Sequence, residues 1–424
     1  MGKHILITSI PSWNQKSGAN TWATLFERFD SNDLANIYIR PEIPDSTVCS
    51  RYFNIREWLV VKSILKRDEI TGFVVQKKEN NITIELEKEQ QKTTHYSKNR
   101  KRIYLWMREL AWKLGKWKSK ELDSFLIDFN PEVLFFSIES YPYFNRVNEY
   151  IIKKCKPKKV IGYLWDDNFT YKQRPGNIFN IIERYFLRKQ VKRIVNACTH
   201  ILSISPKMKE ECDKEFGINS ILLTKPLRDN IVSPYRYKGG VIRLLYTGSL
   251  VIGRDKVLKL VAQAVDKINV ESIRMKLDIY TNTAINNNYK QEINNYKGCE
   301  LHGAIPQNQV FVEQENADVL IFGESLDKGN NIARLSFSTK ITDYLSSFRC
   351  ILAIGPADNS SIDYFAREDA AFVCTKAEDV YTSLLQIAET PTILNEYAEK
   401  AHKCGNKNHN PQIVNKKLKQ IIYT

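Results

Sequence analysis

Short runs of β-branched and aromatic residues alternate with helix-length amphipathic segments along the chain. The first series is HILITSI (4–10), NIYIR (36–40), EVLFFSI (132–138), KVIGYLW (159–165), THILSIS (199–205) and SILLT (220–224). Apolar runs of this length, separated by helical patterns, predict βα units that build a parallel sheet. The polar stretch TKPLRDNIVSPYRYKGG (224–240), rich in proline and glycine, interrupts the rhythm. It then restarts with IRLLYTG (242–248), KLDIYTN (276–282), CELHGAI (299–305), ADVLIFG (317–323), CILAIGP (350–356) and AAFVC (370–374). The pattern predicts an α/β protein of two parallel sheets, with a boundary near 225–240.

Two stretches interrupt the first series. FVVQKKENNITIELEKEQ (73–90) reads as a hairpin turning at ENN, followed by a polar loop. KNRKRIYLWMRELAWKLGKWKSKELDSFL (98–126) reads as a basic helical segment carrying Trp106, Trp112 and Trp117. Its two readings are a helix packed on the sheet with solvated lysines, or an element lying on a membrane surface.

A chain of 424 residues with 43% hydrophobic and 26% charged residues is long enough for two cores. Its eight cysteines are scattered, with no CxxC pair and no cysteine/histidine cluster at metal-ligand spacing, so the expectation is a reduced cytosolic chain without structural zinc. No apolar stretch approaches the roughly 18 residues of a spanning helix. The 63 basic and 48 acidic residues leave a net charge of +15, which predicts an anionic partner: nucleic acid, phospholipid or a phosphorylated small molecule. Without an RRM, KH or zinc-finger signature, nucleic acid is set aside.

In open parallel sheets, ligands bind beyond the carboxyl ends of the strands, where loops meet helix N-termini. YTGSLVIGRDK (246–256) sits at such a place. Gly248 permits close backbone approach, and Arg254 and Lys256 add cations before the next helix. FSTKITDYLSSFRCILAIGP (337–356) sits at another, where Ser338 is the expected helix cap and Ile341, Tyr344 and Leu345 the expected buried face. Lys340 falls in the first turn, where a cation opposes the helix dipole unless an anion binds there. Asp343 suits a vicinal diol, although an exposed ion pair with Lys340 would explain the same spacing.

The stretch 337–365 also resembles the donor-site segment of GT-B glycosyltransferases, in particular the large retaining family of bacterial capsule, O-antigen and exopolysaccharide enzymes. The resemblance rests on Lys340, the Asp343-Tyr344-Leu345 helix, the strand Cys350 to Ile354, and Gly355-Pro356. It implies an α/β GT-B fold of two Rossmann-like domains facing a cleft. Residues 1–230 would bind the acceptor, with the hairpin and basic helix inserted at about 70–126, and residues 231–405 would bind the nucleotide-sugar. A last helix within 406–424 would return to the first domain. The implied activity is sugar transfer from a nucleotide diphosphate donor to a lipid-linked or oligosaccharide acceptor, with retention, no cofactor and no metal. Peripheral contact with an anionic membrane is a further expectation.

Residue by residue, the resemblance implies Gly18, Gly248, Ser249, Arg254 and Lys340 for the diphosphate, and Asp343 for the ribose. His302, Gly303, Ile305 and Pro306 would surround the base. Glu324 is read either as a contact to donor-sugar hydroxyls or as an exposed loop carboxylate. An inverting enzyme would instead need an acceptor-side base, for which Asp166 and Asp167 are the candidates. The chain departs from the family pattern at Leu335, where relatives often carry glutamate, at Trp165, where many carry histidine, and at Phe348 and Arg349, where a turn glycine is usual.

Overall fold

The computed structural model describes residues 2–13, 21–75, 102–173, 177–229 and 232–424. The first sheet contains β1 (Ile5–Ser9), β2 (Leu34–Tyr38), β3 (Arg51–Ile55), β4 (Gly72–Val74), β5 (Val133–Ser137), β6 (Lys159–Leu164), β7 (His200–Ser203) and β8 (Ile221–Leu222), in the order β4-β3-β2-β1-β5-β6-β7-β8. The second contains β9 (Ile242–Thr247), β10 (Met275–Tyr280), β11 (Cys299–His302), β12 (Val319–Gly323), β13 (Cys350–Ile354) and β14 (Phe372–Cys374), in the order β11-β10-β9-β12-β13-β14. Among the described residues only β3 and β4 pair antiparallel. β1, β5, β12 and β13 are buried along their whole length, which explains their unbroken apolar sequences: helices cover both faces of a parallel sheet.

Local chemistry accounts for the helices. In the Arg254–Ile268 helix, Val257, Leu258, Val261, Ala262, Val265 and Ile268 repeat at helical spacing and are buried. One apolar cluster contains Phe26 and Phe135 from the first half, Ile341 and Leu345 from the second, and Val414, Leu418 and Ile422 from the Pro411–Tyr423 helix. That last helix ends against the first sheet. Lys3 Nζ donates to the carbonyls of Ile422 and Tyr423 (3.0 and 2.9 Å), and Lys159 Nζ to that of Ile421 (2.9 Å). Ammonium groups here satisfy carbonyls that a helix C-terminus leaves unpaired.

Several expectations need correction. NIYIR is displaced, because β2 begins at Leu34, and β3 was not anticipated. The ENN turn of the expected hairpin lies outside the described residues. In the Arg102–Leu114 helix Trp112 is fully buried and the following Trp117 nearly so, whereas Trp106 is half exposed: two of the three tryptophans are core. At the head of the Lys340–Ser346 helix the cap is Thr339, which makes no side-chain capping bond; Ser338 Oγ instead accepts the Lys340 N–H at 3.4 Å. The turn after this helix keeps the left-handed backbone usual for glycine, with Phe348 at φ 54° and its ring stacked on His402.

Candidate functional site

Each sheet reverses its strand order once, at β1/β5 in the first and at β9/β12 in the second. The crevice beyond the carboxyl ends of the strands at such a reversal is where open α/β sheets place ligands. In the second sheet the chain leaving β9 passes through Gly248, at φ 139°, where an added Cβ would lie 2.2 Å from Lys340 Nζ. Only glycine leaves room for that ammonium. Lys340 Nζ sits 3.3 Å from the Tyr246 hydroxyl and 4.3 Å from the centre of its ring. Burial, and then the neighbouring Arg254, push the Lys340 pKa down to about 7, with Glu324 and Asp343 opposing the shift.

Arg254 opens the Arg254–Ile268 helix, after Ile252 and Gly253 have both taken left-handed backbone (φ 64° and 80°). A β-branched residue rarely accepts that conformation, so this loop stores strain beside the site. Arg254 Nη2 binds both carboxylate oxygens of Glu324, at 2.8 and 3.1 Å. Burial opposes the arginine's charge, but the Glu324 carboxylate outweighs it and the guanidinium pKa rises. Glu324, immediately after β12, is 4% exposed. The exposed-loop reading is therefore wrong: the carboxylate is buried because a buried cation matches it.

The remaining predicted residues spread outward from this centre. Ser249 Oγ meets Thr283 Oγ1 at 3.2 Å. Asp343 pairs with Lys225 of the connecting segment at 3.3 Å rather than with Lys340. His302 ends β11, stacks on Tyr280 with ring centres 4.4 Å apart, and bonds Asp278 at 2.9 Å. Gly303 and Pro306 are exposed and Ile305 partly so. Because Gly248 N–H donates to the Tyr280 carbonyl (2.9 Å), Gly248, Tyr280 and His302 form one contact path across β9, β10 and β11. Two strand spacings make that path about 10 Å wide. Gly18 lies outside the described residues. Asp278, Glu300 and His302 also converge closely enough to ligate a cation, but the two carboxylates and the imidazole are solvent-accessible and paired with one another.

On the first sheet, Glu139 follows β5 at the reversal point and is 8% exposed. Ser137 Oγ donates to its carboxylate (2.5 Å), and the Asn145 side chain bonds both its backbone N–H and its carbonyl. Burial pushes its pKa up to about 7; hydrogen bonds from Ser137 and Trp165 oppose the rise, and Asp166 adds to it. Trp165 packs on Trp22 and Tyr163. Asp166 accepts from Ser336 Oγ of the second half at 2.5 Å, and surrounding protein raises its pKa. Asp167 is fully buried, caps a turn through the Thr170 N–H and hydroxyl, and faces Arg334 at 3.6 Å.

The two halves are tied together across the crevice. Arg334, 3% exposed, binds both oxygens of Glu211 (2.5 and 2.6 Å) and approaches Asp167 and Asp358. Next to it Leu335 is fully buried in the first half's apolar cluster, so this position serves packing here. A small recess between Ile252, Glu324, Asn330, Arg334, Asp358 and Asn359 adjoins the Arg254–Glu324 pair.

Sequence reasoning did not single out Glu139, Tyr246 or Arg334. One signal was present for Glu139: IES (138–140) trails EVLFFSI as GES (323–325) trails ADVLIFG. Nothing local marks Tyr246 or Arg334.

No protein-family model matches the chain, and no curated protein matches it by sequence. Solved structures do match it. Sucrose-phosphate synthase from Thermosynechococcus elongatus aligns over 99% of this chain and 98% of its own with a TM-score of 0.63 at 10% identity. The lipopolysaccharide outer core galactosyltransferase WaaB aligns over 99% of both chains (TM-score 0.58, 12% identity). Anabaena HepE in complex with UDP-glucose aligns over 99% of this chain and 98% of its own (TM-score 0.59, 8% identity). The chain has the GT-B fold of nucleotide-sugar-dependent glycosyltransferases.

Proposed function

We propose that the protein is a glycosyltransferase that moves a sugar from a nucleoside diphosphate sugar to a lipid-linked or oligosaccharide acceptor in surface polysaccharide assembly. The observation that carries this reading is Lys340, a partly buried ammonium lodged against Gly248 at the reversal point, with no carboxylate in hydrogen-bond range among the described residues. A diphosphate would supply the missing negative charge. As the anomeric bond breaks, charge accumulates on the leaving phosphate, and Lys340 with Arg254 would stabilise it in a site already organised to do so. The path from Gly248 to His302 would take the nucleoside, with its base against the exposed His302–Pro306 loop. Asp343 would exchange Lys225 for the ribose hydroxyls. The UDP-glucose in the HepE complex, and the description of WaaB as a lipopolysaccharide outer core galactosyltransferase, support these substrate classes.

The family resemblance supports retention. Glu139 favours a second course, because a buried carboxyl with a pKa near 7 at the acceptor-side reversal point suits a general base. The acceptor hydroxyl would give its proton to Glu139 and its oxygen would bond the anomeric carbon from the opposite face. The nucleoside diphosphate would leave with the electron pair, giving inversion. The deciding experiment measures nucleotide release from UDP-, GDP-, dTDP- and CMP-sugars with and without lipid extract, followed by NMR of the product anomer. Acceptor-stimulated release from one donor is expected. Turnover of donor without acceptor would indicate an epimerase of the same fold, and nucleotide binding without turnover a nonenzymatic binding partner.

A further inference from the structure

The Arg102–Leu114 and Ile178–Ala197 helices both pack on the Pro142–Cys155 helix and meet where the Trp106 indole N–H donates to Glu183 (2.6 Å). Around that bond Ile103, Met107 and Leu110 of one helix are 55–61% exposed, and Ile182, Tyr185 and Phe186 of the other 47–64%. Both rows follow helical spacing, so each helix turns an apolar stripe outward while Trp112 and Val191 bury its opposite side. A soluble monomer rarely exposes so continuous an apolar face.

We propose that this two-helix face docks on an anionic lipid bilayer. Its charge selects that occupant. Glu57 and Glu109 beside the face are paired with Arg108 and Arg146, and Glu183 accepts from Trp106. By contrast Lys113, Lys189 and Lys192, on the exposed sides of the same helices, have no carboxylate partner among the described residues. An apolar stripe with a cationic rim and a half-exposed tryptophan matches the boundary between acidic headgroups and acyl chains. A second copy of this +15 chain would bring the same cations against one another. The second helix also adjoins the acceptor side of the crevice with its inward side, since Arg184 and Arg188 donate to the carbonyls of Asp167 and Phe169. Docking would therefore hold the mouth beside Asp166 and Glu139 near the lipid surface.

The test is flotation of the full chain with phosphatidylcholine vesicles and with vesicles containing about one third phosphatidylglycerol, at low and physiological salt. Association with the anionic vesicles is expected, weakening with salt and with Lys189→Glu plus Lys192→Glu by about tenfold or more. Leu110→Glu with Phe186→Glu is expected to abolish it while nucleotide binding and thermal stability stay at the wild-type level. That control separates this surface from the donor site, so failure of one reading leaves the other standing. No flotation at low salt, or flotation unchanged in the Leu110/Phe186 variant, overturns the proposal. So does a concentration-dependent dimer in light scattering that the same variant dissolves, which would assign the face to a second copy.

Discussion

The two sheets place a glutamate in the same position and treat it in opposite ways. Glu324 follows β12 at the second sheet's reversal point and is held by Arg254, which arrives from the first turn of a helix. Glu139 follows β5 at the first sheet's reversal point and meets Ser137, Trp165 and Asp166. One buried carboxylate has a cation; the other has hydroxyl and indole donors and a second acid. A carboxyl matched by arginine fixes the arginine in place, whereas one without a cation holds its proton to near neutral pH. The second sheet thus presents positive charge suited to phosphate, and the first a carboxyl suited to exchanging a proton. Similar strand ends become different chemistry through the neighbours that the adjacent strands and the turns after them supply.

Lys340→Met should have the largest effect, because it removes the ammonium while keeping much of the stem. Nucleotide-dependent turnover is expected to fall about 10²- to 10³-fold, read from initial rates on the donor identified by the panel. A near wild-type rate would remove the cationic half of the comparison.

Glu139→Gln should follow, with a loss of about 10²-fold if the carboxyl moves a proton. The sign of its pH dependence is fixed. A base with a pKa raised from 4.5 to about 7 is active only above that value, so wild-type kcat/KM should rise with pH toward about 7, and then turn down as free Lys340 gives up its proton near the same pH. The glutamine variant should lose the rising limb. An unchanged rising limb would show that Glu139 is a buried structural acid and that the two sites differ less than their surroundings imply.

The smallest effect is a proton count. Free Lys340 is held near pKa 7 against an ordinary 10.5, so between these values the unfolded chain binds the extra proton and this group's contribution to stability rises with pH. A bound diphosphate should restore the charge. Calorimetry of UDP binding near pH 8.5, in buffers of different ionisation enthalpy, should therefore show uptake of about one proton, absent near pH 6 and absent in Lys340→Met. No uptake at the higher pH would mean that the ammonium is charged before the ligand arrives.

The two halves of the site were not equally legible in the sequence. Gly248, Arg254 and Lys340 were readable because each sits at a strand-to-helix junction, and junctions are marked by local pattern. The structure then brought all three within reach of one another and added Glu324 as a buried partner. Asp167 shows the opposite case: beside Asp166 in sequence, it is taken up locally by Thr170 and, from the other half of the chain, by Arg334, which nothing around Asp167 in sequence reveals.

The sequence by itself determined the alternation of strands and helices, the restart after residue 240 and the glycine-bearing turn before the Arg254 helix. Each follows from side-chain periodicity, turn residues and backbone freedom within a few positions. Only the tertiary structure decided which carboxyl has a cation, that two tryptophans of the basic helix are core while the opposite face meets solvent, and that Leu335 packs into the other half. Those outcomes depend on distance and desolvation between segments up to hundreds of residues apart, and an electrostatic partner across a sheet leaves no mark on the sequence around either group.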